Sequence, residues 1–227
     1  MFNLLSLAIS PTLICLFYIY IRDKYEKEPW RLLITGLLFG MVIIVPVIHC
    51  QNLITVFIPN SGVMMEAFYS AFVVASFVEE IFKFLVLYYL VWYNKNFNEP
   101  FDGIVYSVFV SLGFAGVENI LYITSPHLGG MPTALARAVF SVPGHMWFGV
   151  AMGYYFAMSK FMSEKRLKNI FLAFFIPFLL HGAYNFILLS GMPFMIAVFI
   201  LFSIYMWRNG LKKIKTHISL SPFKETS

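Results

Sequence analysis

The chain has 227 residues, 60% hydrophobic and 19% aromatic but only 12% charged, with a mean hydropathy of +0.78 and a formal net charge of +5. Soluble domains carry about a quarter charged residues, so a water-soluble globular fold is excluded. Several apolar runs reach the roughly 18 residues that cross a hydrocarbon core, and the fold class expected is all-α, a polytopic membrane helix bundle.

Seven spans are expected, at 3–21, 32–58, 66–93, 103–124, 133–158, 168–190 and 193–208. The first has no basic leading region and no small-residue cleavage site, so it reads as a retained helix rather than a removed signal. The second is long and holds Pro46, which predicts a tilt or kink. The third is long as well. No polar linker divides the chain, so 1–227 is expected to form one integral-membrane domain. Cys15 and Cys50 both fall in apolar runs, which predicts free buried thiols and no disulfide framework.

Lys and Arg alternate between the loops. RDKYEKEPWR carries four, the 59–65 loop none, YNKNFNEPFD one, the 125–132 loop none, SKFMSEKRLK four, the 191–192 turn none, and the chain from Trp207 onward five. By the positive-inside rule the N-terminus lies outside and the C-terminus in the cytoplasm. An odd number of spans is then required, which seven satisfies. The basic KKIKTH tail can rest against anionic lipid headgroups, and the preferred reading is a solvated flank with no specific partner. The basic excess therefore needs no nucleic acid as partner.

An ionisable group at the bilayer centre costs at least about 2.5–3.5 kcal/mol, so the polar residues inside the spans carry the most information. In SFVEEIFKF, Lys83 lies four residues after Glu79 and three after Glu80, within reach of both on a helix. The two glutamates point about 100° apart, so one can face a cavity while the other supports it. Glu118 and Asn119 sit in span four, His145 follows Pro143 and Gly144 in span five, and His181 and Asn185 share one face of span six. At 1.5 Å per residue, Glu79 lies about 20 Å, His145 about 18 Å, His181 about 13 Å and Glu118 about 9 Å from the outer ends of their helices. Four helices thus bring these groups to overlapping depths, in the middle to outer part of the bilayer.

A glutamate beside imidazoles can take a proton from water and generate a nucleophile for a carbonyl. His181 and Asn185 can supply donors for the oxyanion, and Pro143 is expected to kink the helix beside His145. The candidate catalytic residues are Glu79, Glu80, His145 and His181, with Asn185, Glu118 and Lys83 in support. Glu79, His145 and His181 could instead ligate a divalent metal such as zinc, although no HExxH spacing is present. The structural readings are an ion pair for the glutamates and helix-to-helix hydrogen bonds for the histidines and Asn185. His49 reads as packing or a helix-to-helix bond, Arg137 as a snorkelling side chain or a partner of Glu118, and Asp102 as a helix N-cap. His127 and His217 fall in polar flanks and carry no signal. A proton- or cation-coupled transporter would also hold mid-membrane Glu, Lys and His, but no internal repeat is visible.

Five ordered segments carry a resemblance: RDKYEKEP, EEIFK within an EExxK pattern, FDGIVY with SLGFAGVENILY, PGHMWFG, and LLHGAYNF. Together they resemble the PrsW family of bacterial intramembrane proteases. More distantly, they are similar to the CAAX-processing and bacteriocin-immunity protease superfamily. The resemblance implies a multi-pass protein of the bacterial cell membrane. It implies that the enzyme makes the first, extracytoplasmic-side cut in a single-pass anti-sigma factor, in regulated intramembrane proteolysis of a stress response. It implies catalytic roles for Glu79, Glu80 and His181, and an oxyanion role for Asn185 in an HxxxN pair. Position 141, where the superfamily usually has Phe, is Ser141 here, so His145 matches only loosely. The family is grouped with metallopeptidases while its superfamily relatives resemble glutamate proteases, so both chemistries stay open.

Overall fold

The structure is a computed structural model, and it describes residues 2–225. Its helices join into seven rods, named here in chain order. α1 is Phe2–Arg22 and α2 is Trp30–Thr55. α3 covers 63–91, built from Val63–Phe68, a widened π segment Tyr69–Phe77, and Val78–Val91. α4 is Pro100–Thr124. α5 covers 131–161, built from Met131–Ala136, a π segment Arg137–Ser141, and Val142–Phe161. α6 is Arg166–Leu189 and α7 is Met195–Ser219. No strand occurs among the described residues. The fold is an all-α membrane bundle.

Four rods meet the length and apolarity of a membrane span outright: Leu4–Arg22, Trp30–Thr55, Pro100–Thr124 and Arg166–Leu189. α3 and α5 are interrupted by their π segments, and α7 soon meets Arg208. Large apolar side chains such as Leu13, Phe17, Val45, Leu85, Ile196 and Leu201 are exposed on the outside of the bundle. In water such a surface would drive aggregation; in a bilayer it is the lipid-facing surface.

α4 is the central rod. Every residue from 101 to 115 is buried, and α1, α2, α3 and α5 pack around it. Glycine permits the closest approaches. A methyl group at Gly40 would overlap the Val110 carbonyl, and one at Gly113 would overlap the Leu37 carbonyl, so α2 and α4 touch backbone to backbone. Gly103 and Gly153 make the same kind of contact between α4 and α5. Small residues at such crossings are the packing solution open to helices in lipid, where no hydrophobic force drives them together.

Two prolines shape the rods as expected, with one difference. Pro46 cannot donate to the Val42 carbonyl, and α2 breaks at Ile43. Pro143 cannot donate to Val139, and the turn before it widens, with the Val142 amide bonding Arg137 five residues back. The bend expected beside His145 thus takes the form of a π turn. The widened stretch in α3 has no proline and was not expected.

Several expectations are corrected at the basic end of the bundle. α7 continues past the expected span 193–208 to Ser219, with its last turns packed on the bundle. There His217 is fully buried, 4.3 Å from the Tyr154 ring and 2.9 Å from the Pro100 carbonyl. Lys213 lies 4.0 Å over the Tyr154 ring. One face of the tail, with Lys213, Ile214 and His217, is therefore part of the fold, while Lys212 and Lys215 are exposed. Asp102 is not the N-cap of α4: Glu99 holds that position, and the Asp102 carboxylate accepts from the Glu99 and Asn98 amides at 2.8 and 2.9 Å. His49 is exposed rather than packed. Cys15 is a buried free thiol, and Cys50 is free but only partly buried.

The same end of the bundle also buries acids. Asp23, Glu28, Glu99 and Asp102 are all buried at this end. Burial, reinforced by the adjacent Asp102 carboxyl, pushes Glu28 far above the usual carboxylate range. The folded state therefore holds a proton that the unfolded chain releases. Stability from this group is present at low pH and falls as pH rises above the ordinary carboxylate range, by at most about 1.4 kcal/mol per pH unit. Glu28→Gln cannot ionise, so its thermal stability should match wild type near pH 5 and exceed it increasingly toward pH 9. Melting temperatures of the detergent-purified proteins check this; a variant less stable than wild type at both ends would count against it.

Candidate active site

The polar residues of α3, α4, α5 and α6 form one connected group. Lys83 Nζ lies 3.2 Å from Glu79 Oε2, 2.8 Å from Glu80 Oε1 and 3.2 Å from His145 Nδ1. His145 Nε2 lies 3.1 Å from Glu118 Oε2, which also accepts from Arg137 at 2.6 Å. Arg137 donates to Asn119 Oδ1 as well, at 2.9 Å. On the far side, His181 Nδ1 lies 2.9 Å from Glu80 Oε1. Glu79, Glu80, Lys83, His145 and His181 are each no more than 3% exposed.

The helical spacing explains the two glutamates. Both reach Lys83 from one turn of α3, but their remaining contacts diverge. Glu79 lines a cavity of about 650 Å³ together with Glu118, His145, His181 and Asn185. Glu80 and Lys83 do not line it; they sit behind Glu79. The cavity extends past Tyr122 and Ser125 to Leu128, toward the end of the bundle where the loops lack Lys and Arg. Asn185 lines the cavity and makes no hydrogen bond to the described residues, whereas Asn119 is committed to Arg137 and to the Ala8 carbonyl at 2.8 Å.

Gln51 belongs to the site and was not singled out in the sequence. Its Nε2 donates to Glu79 Oε1 at 3.3 Å from α2. Glutamine near the end of an apolar run looks like an ordinary boundary residue, and only the pairing across helices reveals it. The pairing of Arg137 with Glu118 realises one of its two expected roles. The ring of Phe148 stacks on His181 at 4.6 Å and fixes its plane.

A buried carboxylate beside a lysine, two imidazoles that flank the pair, and a cavity of about 650 Å³ suit one class: a hydrolase working inside the membrane. The comparisons agree. The profile of the PrsW family intramembrane metalloprotease matches residues 28–207. The chain is 38% identical over 215 residues to Protease PrsW of Geobacillus kaustophilus, covering 95% of this chain and 92% of that one. It is 39% identical over 222 residues to Protease PrsW of Clostridioides difficile, covering 96% and 93%, and 35% identical over 216 residues to that of Bacillus subtilis, covering 95% of each. No solved structure matches. The chain belongs to the PrsW family of intramembrane proteases, multi-pass proteins of the bacterial membrane.

The family description implies a metal, and the donors can be tested for it. Glu79, Glu80, His145 and His181 each offer a ligand atom, all within 4.8 Å of one another. Two carboxylates and two imidazoles suit zinc chemically. Oε2 of Glu80 is also buried without a partner among the described residues. Against this, the Lys83 ammonium stands among the donors and touches three of the four. Both nitrogens of His145 are engaged, by Lys83 and by Glu118. As arranged, these residues do not fit a metal ion.

Proposed function

We propose that the chain cleaves a single-pass membrane protein within the bilayer, with Glu79 as the base that activates water. The observation that carries this reading is the position of Glu79: the one member of the EExxK turn that faces the cavity, with Glu80 and Lys83 behind it. Oε1 of Glu79 is held by Gln51 and Oε2 by Lys83. An ionised carboxylate has about four acceptor sites, so both oxygens keep capacity for a water. Glu79 takes the proton as the water oxygen attacks the peptide carbonyl, then returns it to the leaving amine.

Glu80 acts through its neighbours. It accepts from Lys83 and faces Nδ1 of His181, which fixes the ring so that Nε2 is offered to the substrate. Since Nδ1–H is committed to Glu80, His181 donates to an oxyanion only in its protonated form. Asn185, one turn away on α6, is the neutral donor. His145 and Glu118 line the same cavity and hold Lys83 and Arg137 in place. Asn185→Ala should lower kcat about 10²–10³-fold, the usual cost of one oxyanion donor, with KM little changed. Turnover at the wild-type level would remove Asn185 from that role.

The substrate proposed is an anti-sigma factor, cut first on the extracytoplasmic side. The resemblance supports the substrate class, and the charge pattern supports the side. The cavity extends toward the loops lacking Lys and Arg, which the positive-inside rule puts outside. Ser61→Cys should react with an impermeant thiol reagent added to intact cells, while Lys24→Cys and Lys165→Cys should not. Labelling of Lys24→Cys or Lys165→Cys from outside would reverse the topology and move the cut to the other face. The function itself is tested with purified protein and a single-pass anti-sigma factor in detergent, where no ion gradient exists. Cleavage establishes hydrolysis; well-folded protein inactive on every such substrate would favour the transporter reading. The rival chemistry, metal-dependent hydrolysis at the same residues, draws on the four clustered donors.

A further inference from the structure

Lys83 is a charge enclosed on every side. It is fully buried, in a rod that crosses the bundle beside α4. An ammonium has three N–H donors and no acceptor. Here three acceptors meet it: Glu79 at 3.2 Å, Glu80 at 2.8 Å and His145 Nδ1 at 3.2 Å. The Phe114 ring covers it, with its centroid 4.4 Å from Nζ. Its hydrogen-bonding capacity is therefore filled, by atoms drawn from the same four residues that a metal would need.

That contact also fixes His145. If Nδ1 accepts from the ammonium, the ring proton sits on Nε2 and is given to Glu118, at 3.1 Å. No lone pair on His145 is left for a metal. Charge points the same way. With the carboxyls ionised and both bases protonated, Glu79, Glu80 and Glu118 face two cations, Lys83 and Arg137, within one hydrogen-bonded group. A single negative charge remains, and a divalent ion would turn that into a positive excess inside a buried site.

We propose that Lys83 is the resident cation of this site: it stands where a metalloprotease with these donors would hold its metal, and it keeps divalent metals out. The proposal deepens the reading of Glu79 as the base, because an ammonium holds the carboxylate in place without consuming its capacity for water. It also makes a distinct claim, that the metal site is latent and only the lysine closes it. Removing the ammonium frees the two glutamates and Nδ1 of His145 together, a donor set suited to tetrahedral zinc.

The test is metal binding, which needs no substrate and no activity. Full-length protein in detergent is stripped with chelator, offered zinc or cobalt(II), desalted and analysed for metal. Wild type should retain well under one zinc per chain and show no rise in melting temperature with zinc. Lys83→Met should retain one zinc per chain, melt higher when loaded, and show the visible absorption of four-coordinate cobalt(II). If Lys83→Met does not insert, Lys83→Gln takes its place, and the wild-type arm stands alone for the exclusion of metal. One zinc per wild-type chain overturns the proposal. So does a folded Lys83→Met that binds no more zinc than wild type, since the donors would then not converge. The role of Glu79 is judged separately, by cleavage: a metal-free wild type whose Glu79→Gln variant still cleaves would keep the lysine proposal and discard the base.

Discussion

Glu79→Gln abolishes cleavage while the protein still inserts and folds. The amide keeps the shape of the side chain and one oxygen to accept from Lys83, so the packing of α3 against α4 and α6 is unchanged. What it lacks is the capacity to take a proton. A positioned general base contributes about 10²–10⁴-fold, and here the base also generates the nucleophile, so the loss should lie at or beyond the upper end of that range. The effect should fall on kcat, with KM nearly unchanged, because the substituted amide still lines the cavity. The measurement is cleavage of a single-pass substrate in detergent, alongside size-exclusion profiles of both proteins. Full activity of the variant would remove Glu79 from the mechanism. Loss of activity together with aggregation would instead mark the residue as structural.

Gly113→Leu should prevent the bundle from assembling. Any Cβ at this position already overlaps the Leu37 carbonyl, and the mirror contact at Gly40 overlaps the Val110 carbonyl. Neither obstacle is a side chain that can turn aside. Overpacking a core typically costs about 1–3 kcal/mol and occasionally more; two backbones that must move apart put this case above that range. A total stability of roughly 5–15 kcal/mol leaves little margin. The separation also pulls Gln51 of α2 away from Glu79, so any protein that folds should be slow. Gly113→Ala should show the same defects in milder form. Monodisperse Gly113→Leu with wild-type turnover would mean that α2 and α4 do not approach so closely.

The fold was legible because lipid imposes a simple rule: backbone groups must be satisfied within each segment, so apolar runs become helices. The site was legible for the same reason in reverse, since Glu79, Glu80, Lys83 and His181 stand out where charge is expensive. What stayed hidden needed contacts between distant segments. The third partner of Lys83 is 62 residues away in sequence, and the partner of Gln51 is 28 away. The buried acids Asp23 and Glu28 lie in a loop whose composition looks solvated; only the chain folding over them removes the water. His217 was passed over because a basic tail normally frays, and here Tyr154 and the Pro100 carbonyl hold it.

The π segments were hidden in a different way, and they have a consequence of their own. Each adds a residue to the turn, since its hydrogen bonds span five residues instead of four. That shifts the angular phase of everything beyond it by about 100°. In α3 the slip lies immediately before Glu79, and in α5 it lies before His145. The rim of the cavity is thus built in part by the widened turns themselves, with Ser70 and Val74 on one rod and Phe140 on the other. Deleting one residue from Tyr69–Phe77 should turn the part of α3 before it by about 100° relative to the EExxK turn and present different side chains at the mouth. The entrance and the catalytic floor can therefore be re-keyed separately, so a chain of this design can change what it admits without realigning what cuts.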